Sequence, residues 1–400
     1  MHTHFHNPSS QTVKSINPDE KKRILHIIWS DGHTSHFHFV WLRHHALCPH
    51  GIPNDTSVKV SLLPDDPSAL QITQVRLSDS SLFIHWSDMT QVTEHDLESL
   101  KQSDYSQFSR LNKKAPVTLW DKHNSGAIPC FHFSTLQDET TLFDLLLGIR
   151  DYGVVKIKHV PTKPDTIARI AQLLGPIHVN NYGEVFDVKT DTRTNLGSNT
   201  GVHLGPHTDE SYRHAPPGVS LFHCLQDSTE GGDSMLVDGF HAATKLRETD
   251  PKSFQTLSQV RVFFQRHAPG EENMQSHARV IVTDTDGEID GIRFTDRTIP
   301  PQDIPENLIE PVYQGIRKFW NLVNDTEMIH QYHMTSGDLH IFDNHRVLHG
   351  RTAFQIKNNT TRHLQQCSVN RDEFHNTLRL LSAKLGRQDH TLTMSGGANG

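Results

Sequence analysis

The segment Pro206-His207-Thr208-Asp209 places an imidazole and a carboxylate two positions apart. Residues i and i+2 of a strand project to the same face, so a strand here would aim both side chains at one point. We expect the third ligand to be His349, much further along the chain. Two histidines and one carboxylate on one face of a metal ion leave its other positions open, which is typical of mononuclear Fe(II) sites that activate O2.

Arg362 follows His349 and would lie one strand further on in a jelly roll. A guanidinium forms a bidentate pair with a carboxylate, and 2-oxoglutarate carries a distal carboxylate that needs such a partner. Taken alone, Arg362 is better explained by a surface ion pair. The H-x-D pair alone is also a weak signal, because the chain contains 31 histidines and 46 acidic residues. The three ligands together with Arg362 are what predict an iron site.

The bulk composition narrows the class of protein. The chain has 400 residues, enough for two domains, and 21% charged and 34% hydrophobic residues are typical of a globular protein. A net charge of -8 argues against an extended nucleic-acid surface. There is no apolar run of membrane-spanning length and no secretory signal, so we expect a cytoplasmic location. The four cysteines are scattered and predict free thiols.

Residues 20–105 show two related strand patterns. Residues 24–29 and 35–39 alternate around a Ser-Asp-Gly turn, and a similar run returns at 81–88. We therefore predict a small antiparallel β domain with two related hairpins. Residues 102–118 are polar and contain a proline, and we expect a linker there.

Residues 119–385 are predicted to form a second, larger domain. Helices are expected over 142–152 and 164–174. From about 195 onward the chain consists of short apolar runs broken by Gly, Pro, Asp and Asn, with one interrupting helix near 309–324. Many short strands with turn-rich connections favour a mainly β fold, a sandwich or jelly roll with flanking helices.

Short strings spread over residues 24–380 follow a known pattern. They are Trp29-Ser30-Asp31-Gly32-His33, Trp41-Leu42-Arg43, Gly153-Val154-Val155, Leu174-Gly175-Pro176-Ile177, Tyr182-Gly183, Pro206-His207-Thr208-Asp209, Pro216-Pro217-Gly218, Glu230-Gly231-Gly232-Asp233-Ser234, Val237-Asp238-Gly239-Phe240, His349-Gly350-Arg351 and Arg362-His363-Leu364. Together they resemble the gamma-butyrobetaine hydroxylase family, a branch of the taurine-dioxygenase-like Fe(II)/2-oxoglutarate oxygenases.

The resemblance implies a double-stranded β-helix catalytic domain and a hydroxylation coupled to decarboxylation of 2-oxoglutarate, with O2 as the oxidant. It assigns iron to His207, Asp209 and His349 and the distal carboxylate of 2-oxoglutarate to Arg362. Ser234 would add a hydrogen bond to that carboxylate, with a plain turn residue as the alternative. The resemblance also implies a homodimer and a small-molecule substrate, with no nucleic-acid or membrane partner.

The family's small domain often holds a structural zinc ion on three cysteines and a histidine, and this chain departs from that pattern. Only Cys48 stands at a cysteine position, and Thr90 stands at the distal histidine position. A zinc site formed by His44, His45, Cys48 and His50 is one alternative. A polar loop without metal is the other.

A trimethylammonium group has no N–H to donate, so proteins bind it with aromatic ring faces. Tyr182 and Phe186 match two positions of the family's aromatic cage, although core packing would explain both residues equally well. Asn199 and Ser368 stand at the other two positions, and the nearby Tyr212 is a possible substitute.

The resemblance implies that Arg293 and Arg297 occupy the region that would meet an anionic end of the substrate, and either one suits a carboxylate or phosphonate. Either could equally be a surface cation or a neighbour of 2-oxoglutarate. The expected substrate is a quaternary-ammonium acid such as gamma-butyrobetaine. A trimethylammonium phosphonate, trimethyllysine or another small molecule are the alternatives. A non-catalytic jelly-roll binding module is the alternative outside enzymes, and it predicts that at least one iron ligand is missing.

Overall fold

The computed structural model describes residues 13–46, 63–189, 201–227, 230–270, 272–355 and 362–387. The chain divides into two compact units, Met1–Lys114 and Ala115–Gly400. Each unit has a hydrophobic core of its own. The described part of the chain is mainly β with helices, which confirms the predicted class.

The described part of the N-terminal unit contains six strands and three short helices. The strands are β1 Val13–Asp19, β2 Ile24–Trp29, β3 Thr34–His38, β4 Ile72–Leu77, β5 Ser81–Trp86 and β6 Thr93–Asp96. The helices are α1 Phe39–His45, α2 Leu97–Gln102 and α3 Gln107–Asn112. Strands β1-β2-β3 and β4-β5-β6 form two antiparallel sheets, as predicted. Helix α3 lies within the stretch expected to be a linker, where Ser106 Oγ caps it by accepting from Ser109 N at 3.2 Å.

Each of the two sheets of this unit contains an equivalent buried hydrogen bond from a tryptophan. Trp29 at the end of β2 donates from Nε1 to Ser35 Oγ at 2.9 Å. Trp86 at the end of β5 donates in the same way to Thr93 Oγ1 at 2.7 Å. In both cases a buried indole N–H finds its acceptor on the next strand, which satisfies the donor inside the core. The two hairpins are therefore related in structure as well as in sequence.

The second unit contains sixteen described strands. They are β7 Cys130–His132, β8 Val154–Lys158, β9 Phe186–Lys189, β10 Leu204–His207, β11 Val219–Gln226, β12 Glu230–Gly231, β13 Ser234–Asp238, β14 Val262–Ala268, β15 Glu272–Ala278, β16 Ile281–Thr283, β17 Ile289–Ile292, β18 His330–Tyr332, β19 Leu339–Asp343, β20 Val347–Arg351, β21 Phe354–Gln355 and β22 His363–Val369. One sheet has the order β7-β8-β19-β11-β22-β9, and a second has the order β10-β20-β13-β18. All of these pairings are antiparallel except β7 with β8.

The two large sheets pack against each other. Val154 and Phe342 of the six-stranded sheet share a buried cluster with Leu236 and Val347 of the four-stranded sheet. These side chains are almost completely inaccessible to solvent, so the cluster fixes the separation of the sheets. The remaining strands form the pairs β12-β21, β14-β15 and β16-β17.

Six described helices accompany these sheets. They are α4 Glu139–Tyr152, α5 Thr166–Leu174, α6 Gly239–Thr249, α7 Pro251–Gln259, α8 Glu306–Val323 and α9 Arg371–Lys384. Helices α4, α5 and α8 confirm the predicted ones, and α4 ends at Gly153 with φ of 74°. None of the described helices is long and apolar enough to cross a membrane.

The expectation of a single helix after residue 195 was wrong, because α6, α7 and α9 also form. Asp238-Gly239 and Asp250-Pro251 have the composition of turns, yet each begins a helix. Asp238 accepts a hydrogen bond from Phe240 N at 3.1 Å, and Asp250 accepts one from Ser253 N at 3.1 Å. Both aspartates are helix N-caps. Dipeptides of this composition can begin a helix as well as form a turn.

Candidate active site

Asp209 does not lie in a strand. Strand β10 ends at His207, and Asp209 belongs to the turn that follows, next to Glu210 with φ of 52°. The expectation that strand alternation aligns His207 with Asp209 was therefore wrong, although the two side chains do converge. Asn344 holds the turn in place: its Oδ1 accepts from Asp209 N at 2.7 Å, and its Nδ2 donates to Asp209 O at 3.1 Å.

His349 lies on β20, the strand that pairs directly with β10. The register places His349 opposite His207, and their ring centroids are 4.4 Å apart. The Oδ1 atom of Asp209 lies 3.7 Å from His207 Nε2 and 3.4 Å from His349 Nε2. The rings of Phe222 and Phe342 pack beside His349 at centroid distances of 5.2 and 4.9 Å and hold its imidazole in place.

The surroundings of His207 leave one ring nitrogen available. Its Nδ1 lies 2.9 Å from the carbonyl oxygen of Gly205, so Nδ1 carries the proton and donates. Nε2, which faces Asp209, then keeps a free lone pair. Burial, assisted by His349 and Arg297, lowers the pKa of His207 to about 3, so the ring is neutral at physiological pH.

Asp209 is held in its charged form. Burial by itself raises the pKa of this carboxyl, but the interactions with His349 and His207 and the hydrogen bond from Gln366 outweigh it and bring the pKa to about 2. Gln366 on β22 donates from Nε2 to Asp209 Oδ2 at 2.8 Å. That bond occupies one carboxylate oxygen and leaves Oδ1 to the space between the two histidines.

These three side chains fit a ferrous ion. Their candidate ligand atoms all lie within 4.8 Å of one another. Two imidazole nitrogens and one carboxylate oxygen form the donor set that Fe(II) takes in oxygenases, and the neutral ring of His207 and the ionised carboxylate of Asp209 are the forms that metal binding requires.

A cavity of about 90 Å³, called here the inner cavity, lies on one side of the three ligands. The six-stranded sheet contributes His340, Phe222 and Gln366, which the register places in one row. The four-stranded sheet contributes Leu204, Arg351 and Ser234, which form a facing row. Arg362 completes the wall, so the structure brings Ser234 and Arg362 to the same cavity.

Two buried arginines stand on this wall. The guanidinium carbon of Arg362 lies 5.7 Å from the ring centroid of Phe354, and that of Arg351 lies 4.5 Å from the same centroid. Arg351 also donates from Nη2 to the carbonyl oxygen of Val202 at 2.9 Å. Burial lowers the pKa of both guanidinium groups, that of Arg351 to about 10. Two buried guanidinium groups on one wall give the cavity positive charge suited to a carboxylate.

A second cavity of about 290 Å³, called here the outer cavity, lies on the other side of the ligands. Tyr182, Phe186 and Tyr212, which were predicted to bind the substrate, all line this cavity. The rings of Tyr182 and Phe186 are 5.8 Å apart between centroids. Burial raises the pKa of both tyrosines, so their rings stay uncharged. His207, Asp209 and Gln366 line both cavities, whereas His349 lines the inner cavity alone, so the two cavities meet at His207 and Asp209.

The two candidate arginines differ in position. Arg297 lines the outer cavity. Arg293 lines neither cavity, and its Nη1 and Nη2 donate to the carbonyl oxygens of Arg213 and His214 at 3.1 and 3.4 Å. Arg293 is thus a structural residue, and its assignment to the substrate is corrected here.

Two other predictions, the substrate contact of Asn199 and the zinc site, involve residues outside the described ranges. Asn199 lies outside the described residues. Of the four residues considered for zinc, Cys48 and His50 also lie outside them, so the zinc alternative stays a prediction. His45 lies at the end of α1, and its Nδ1 is 2.8 Å from the carbonyl oxygen of Trp41.

Several residues of the site were not found from the sequence. Asn344, Gln366, Arg351 and His340 contact a ligand or line the inner cavity, and Arg266 lines the outer one. The guanidinium of Arg266 pairs with Glu272 and lies 5.9 Å from the ring centroid of Tyr212. Strand alternation from His349 and Arg362 was the available signal, since Arg351 is at i+2 of His349 and Gln366 is at i+4 of Arg362.

Family models match almost the whole chain. Residues 116–368 match the model described as taurine catabolism dioxygenase TauD, TfdA family. Residues 16–100 match the N-terminal model described as gamma-butyrobetaine hydroxylase-like. The second match includes both hairpins of the N-terminal unit.

Individual proteins are similar over most of their length. A gamma-butyrobetaine dioxygenase from Pseudomonas sp. (strain AK-1) is 31% identical over 87% of this chain and 91% of its own. The human gamma-butyrobetaine dioxygenase is 26% identical over 94% of this chain and 98% of its own. A trimethyllysine dioxygenase from Meyerozyma guilliermondii is 28% identical over 90% of this chain and 93% of its own. A taurine dioxygenase structure from Burkholderia xenovorans covers 58% of this chain and 82% of its own, at 16% identity and a TM-score of 0.45.

The matches confirm both the resemblance and the predicted enzyme class, a 2-oxoglutarate-dependent dioxygenase. They count against a non-catalytic binding module, as do the three candidate ligands, all present and convergent. The chain belongs to the TauD/TfdA family of dioxygenases.

Proposed function

We propose that this protein hydroxylates a small quaternary-ammonium acid such as gamma-butyrobetaine, with 2-oxoglutarate as cosubstrate and Fe(II) bound by His207, Asp209 and His349. One observation carries the proposal: two cavities of different chemistry meet at the convergent ligands, since His207 and Asp209 line both of them. One cavity has a cationic and hydroxyl-bearing wall, and the other combines aromatic rings with a guanidinium. Two reactants can therefore approach the same metal from two sides.

We propose that the two large sheets are the halves of a double-stranded β-helix. The shared cluster around Phe342 and Leu236 supports face-to-face packing, and nearly all strand pairs are antiparallel. Strands β10 and β20, which bear His207 and His349, are neighbours in the smaller sheet. In a jelly roll of this kind the inner faces enclose a ligand cavity.

The inner cavity is the proposed site of 2-oxoglutarate. Arg362 would pair with the distal carboxylate, because a planar guanidinium offers two parallel N–H groups to it. Ser234 stands on the same wall and would give that carboxylate a further hydrogen bond. When bound, the iron and 2-oxoglutarate would activate O2, which is the oxidant for removing a hydrogen atom from an unactivated C–H bond. The protein orients both reactants and keeps bulk water away from the inner cavity.

The outer cavity is the proposed site of the substrate. Tyr182, Phe186 and Tyr212 present ring faces suited to a trimethylammonium group. Arg297 would pair with the anionic end of the molecule. The relatives named gamma-butyrobetaine dioxygenase support this substrate, since they align over most of the chain.

A second candidate is a trimethylammonium phosphonate, and a specific observation favours it. Arg297 and Arg266 both line the outer cavity. A doubly charged phosphonate can pair with two guanidinium groups, whereas a carboxylate carries a single charge. Trimethyllysine is the other candidate, supported by the relatives of that name.

The test is succinate release from 2-oxoglutarate by the Fe(II)-loaded full chain. Each candidate substrate is added separately, alongside an analogue of gamma-butyrobetaine in which carbon replaces the quaternary nitrogen. We expect strong stimulation by gamma-butyrobetaine and little by the neutral analogue, because ring faces attract the cation and not its uncharged shape.

Different outcomes contradict different parts of the proposal. Failure to bind Fe(II) under anaerobic conditions would contradict the assignment of the three ligands. Iron binding with no stimulation by any trimethylammonium compound would overturn the substrate class. Equal stimulation by the neutral analogue would show that shape, and not cation binding, selects the substrate.

A further inference from the structure

His340 is a buried histidine of the inner cavity that the proposed function does not use. It lies on β19, in register with Phe222 on one side and Lys156 on the other. Only 4% of its surface is exposed, and it lines the cavity together with Arg362 and His349. Burial lowers its pKa to about 3, so the ring is neutral.

Tyr332 fixes one side of this imidazole. Its hydroxyl lies 2.5 Å from His340 Nδ1, and Tyr332 belongs to β18, opposite Ser234 in the smaller sheet. The contact therefore joins the two facing sheets across the cavity. The ammonium of Lys156 lies 4.4 Å from the centroid of the Tyr332 ring and packs on its face.

The proton arrangement of this pair follows from the phenol. Burial raises the pKa of Tyr332, so its hydroxyl keeps the proton and needs an acceptor. His340 Nδ1 is the only hydrogen-bond partner of this hydroxyl within the described part of the chain. Nδ1 therefore accepts, and the single proton of the neutral imidazole lies on Nε2.

The Nε2–H group of His340 is consequently a donor in a cavity wall. Among the described residues, none accepts a hydrogen bond from it. A donor in a cavity wall gains a partner when a ligand supplies an acceptor oxygen, and that hydrogen bond would stabilise the bound ligand. The same cavity is lined by His349 and Arg362, so His340 shares the wall with an iron ligand and with the proposed anion-binding guanidinium.

We propose that His340 donates a hydrogen bond from Nε2 to a carboxylate oxygen of the dicarboxylate cosubstrate, and that Tyr332 is the positioning residue that selects this tautomer. The inference rests on the proposed function, since it takes the inner cavity to be the cosubstrate site. It adds a donor that the three iron ligands, Arg362 and Ser234 do not provide.

The experiment measures binding of 2-oxoglutarate to the Fe(II)-loaded full chain by anaerobic calorimetry. His340→Phe keeps a ring of similar size but no donor, and His340→Gln restores an N–H donor. We expect His340→Phe to raise the dissociation constant of 2-oxoglutarate by about tenfold or more, the usual effect of losing a hydrogen bond to a charged group. His340→Gln should recover most of that loss.

Tyr332→Phe tests the tautomer. Without the phenol, His340 can place its proton on either nitrogen, so we expect a loss of about threefold, smaller than that of His340→Phe. The matched control is His223→Phe on the neighbouring strand β11, since His223 is fully buried but lines neither cavity. Its dissociation constant for 2-oxoglutarate should match that of the unaltered protein.

Anaerobic Fe(II) binding and the thermal midpoint identify variants that fail to fold. If His340→Phe binds iron and 2-oxoglutarate as well as the unaltered protein does, the inference is wrong. If His340→Phe is unfolded, the decision passes to His340→Gln and Tyr332→Phe, whose binding must then follow the predicted order. If the unaltered chain binds iron but no 2-oxoglutarate, the proposed function fails first, and that outcome is distinct.

Discussion

The inner and outer cavities share five lining residues but are built from different kinds of structure. The inner cavity is walled by side chains of paired strands in two facing sheets, with His340 and Ser234 as examples. The outer cavity is walled by the edge strand β9, the turn after β10, the hairpin strand β14 and the segment around Arg297. The first is fixed by strand register, and the second by loops and hairpins.

This difference separates the chemistry from the choice of substrate. Paired strands hold a side chain within narrow limits, whereas loops accept substitutions without disturbing the core. We therefore expect the proposed cosubstrate chemistry to depend on residues such as Arg362, and substrate preference to depend on residues such as Arg297. The predictions below test that separation, beginning with a residue common to both cavities.

His207→Ala is expected to have the largest effect, because His207 lines both cavities and is a proposed iron ligand. Metal-dependent succinate release should fall to background, and anaerobic Fe(II) binding should be lost with it. His267→Ala, at an exposed position of β14, is the control and should retain both. Retained iron-dependent turnover in His207→Ala would contradict the ligand assignment.

Arg362→Leu should affect the inner cavity alone. Removing one partner of a buried charge pair is expected to raise the dissociation constant of 2-oxoglutarate about 100-fold, while Fe(II) still binds. Arg362→Lys keeps the charge but loses the planar fork, and should give an intermediate loss. Calorimetry with the iron-loaded protein measures both. A lysine variant as weak as the leucine variant would show that geometry, and not charge, dominates.

Gln366→Leu removes the hydrogen bond to Asp209 Oδ2. Loss of such an outer contact to a metal ligand is expected to weaken Fe(II) binding by about 10- to 100-fold. Gln365→Leu is the matched control, since the neighbouring amide points to the other face and donates to Asp187 Oδ1 at 3.2 Å. Competition with a chelator gives both affinities, and equal values would mean that Gln366 does not orient the carboxylate.

Arg297→Gln should have the smallest effect and should be confined to the outer cavity. We expect about a tenfold rise in KM for an anionic quaternary-ammonium substrate, with 2-oxoglutarate binding unchanged. Arg293→Gln is the contrasting variant. It removes donors to two backbone carbonyls, so it should lower the thermal midpoint without changing KM. A change in 2-oxoglutarate affinity in Arg297→Gln would show that the cavities are coupled.

The site residues that belong to recognisable motifs were predictable from the sequence. His207, Asp209 and His349 were identified by type and spacing, and the structure brings them together. Arg362 was found from its spacing after His349 and Ser234 through the family resemblance, and both line one cavity. The strand argument for Asp209 was nevertheless wrong, because a turn held by Asn344 produces the same convergence.

The errors have a common cause. The helices after Asp238 and Asp250 begin with dipeptides that also form turns, so local composition did not distinguish the two. Arg293 and Arg297 are four positions apart in one short segment, and nothing local tells which guanidinium is taken up by backbone carbonyls. In each case the deciding contact comes from a distant part of the chain.

The sequence by itself determined the chemistry of this protein, because ligand types, their order and the partner arginine are local properties of short motifs. Only the tertiary structure decided that two cavities meet at His207 and Asp209, and that His340 lines one of them with its Nδ1 beside the hydroxyl of Tyr332. That division depends on the register of strands far apart in the chain, since a shift by one residue would turn every side chain to the other face.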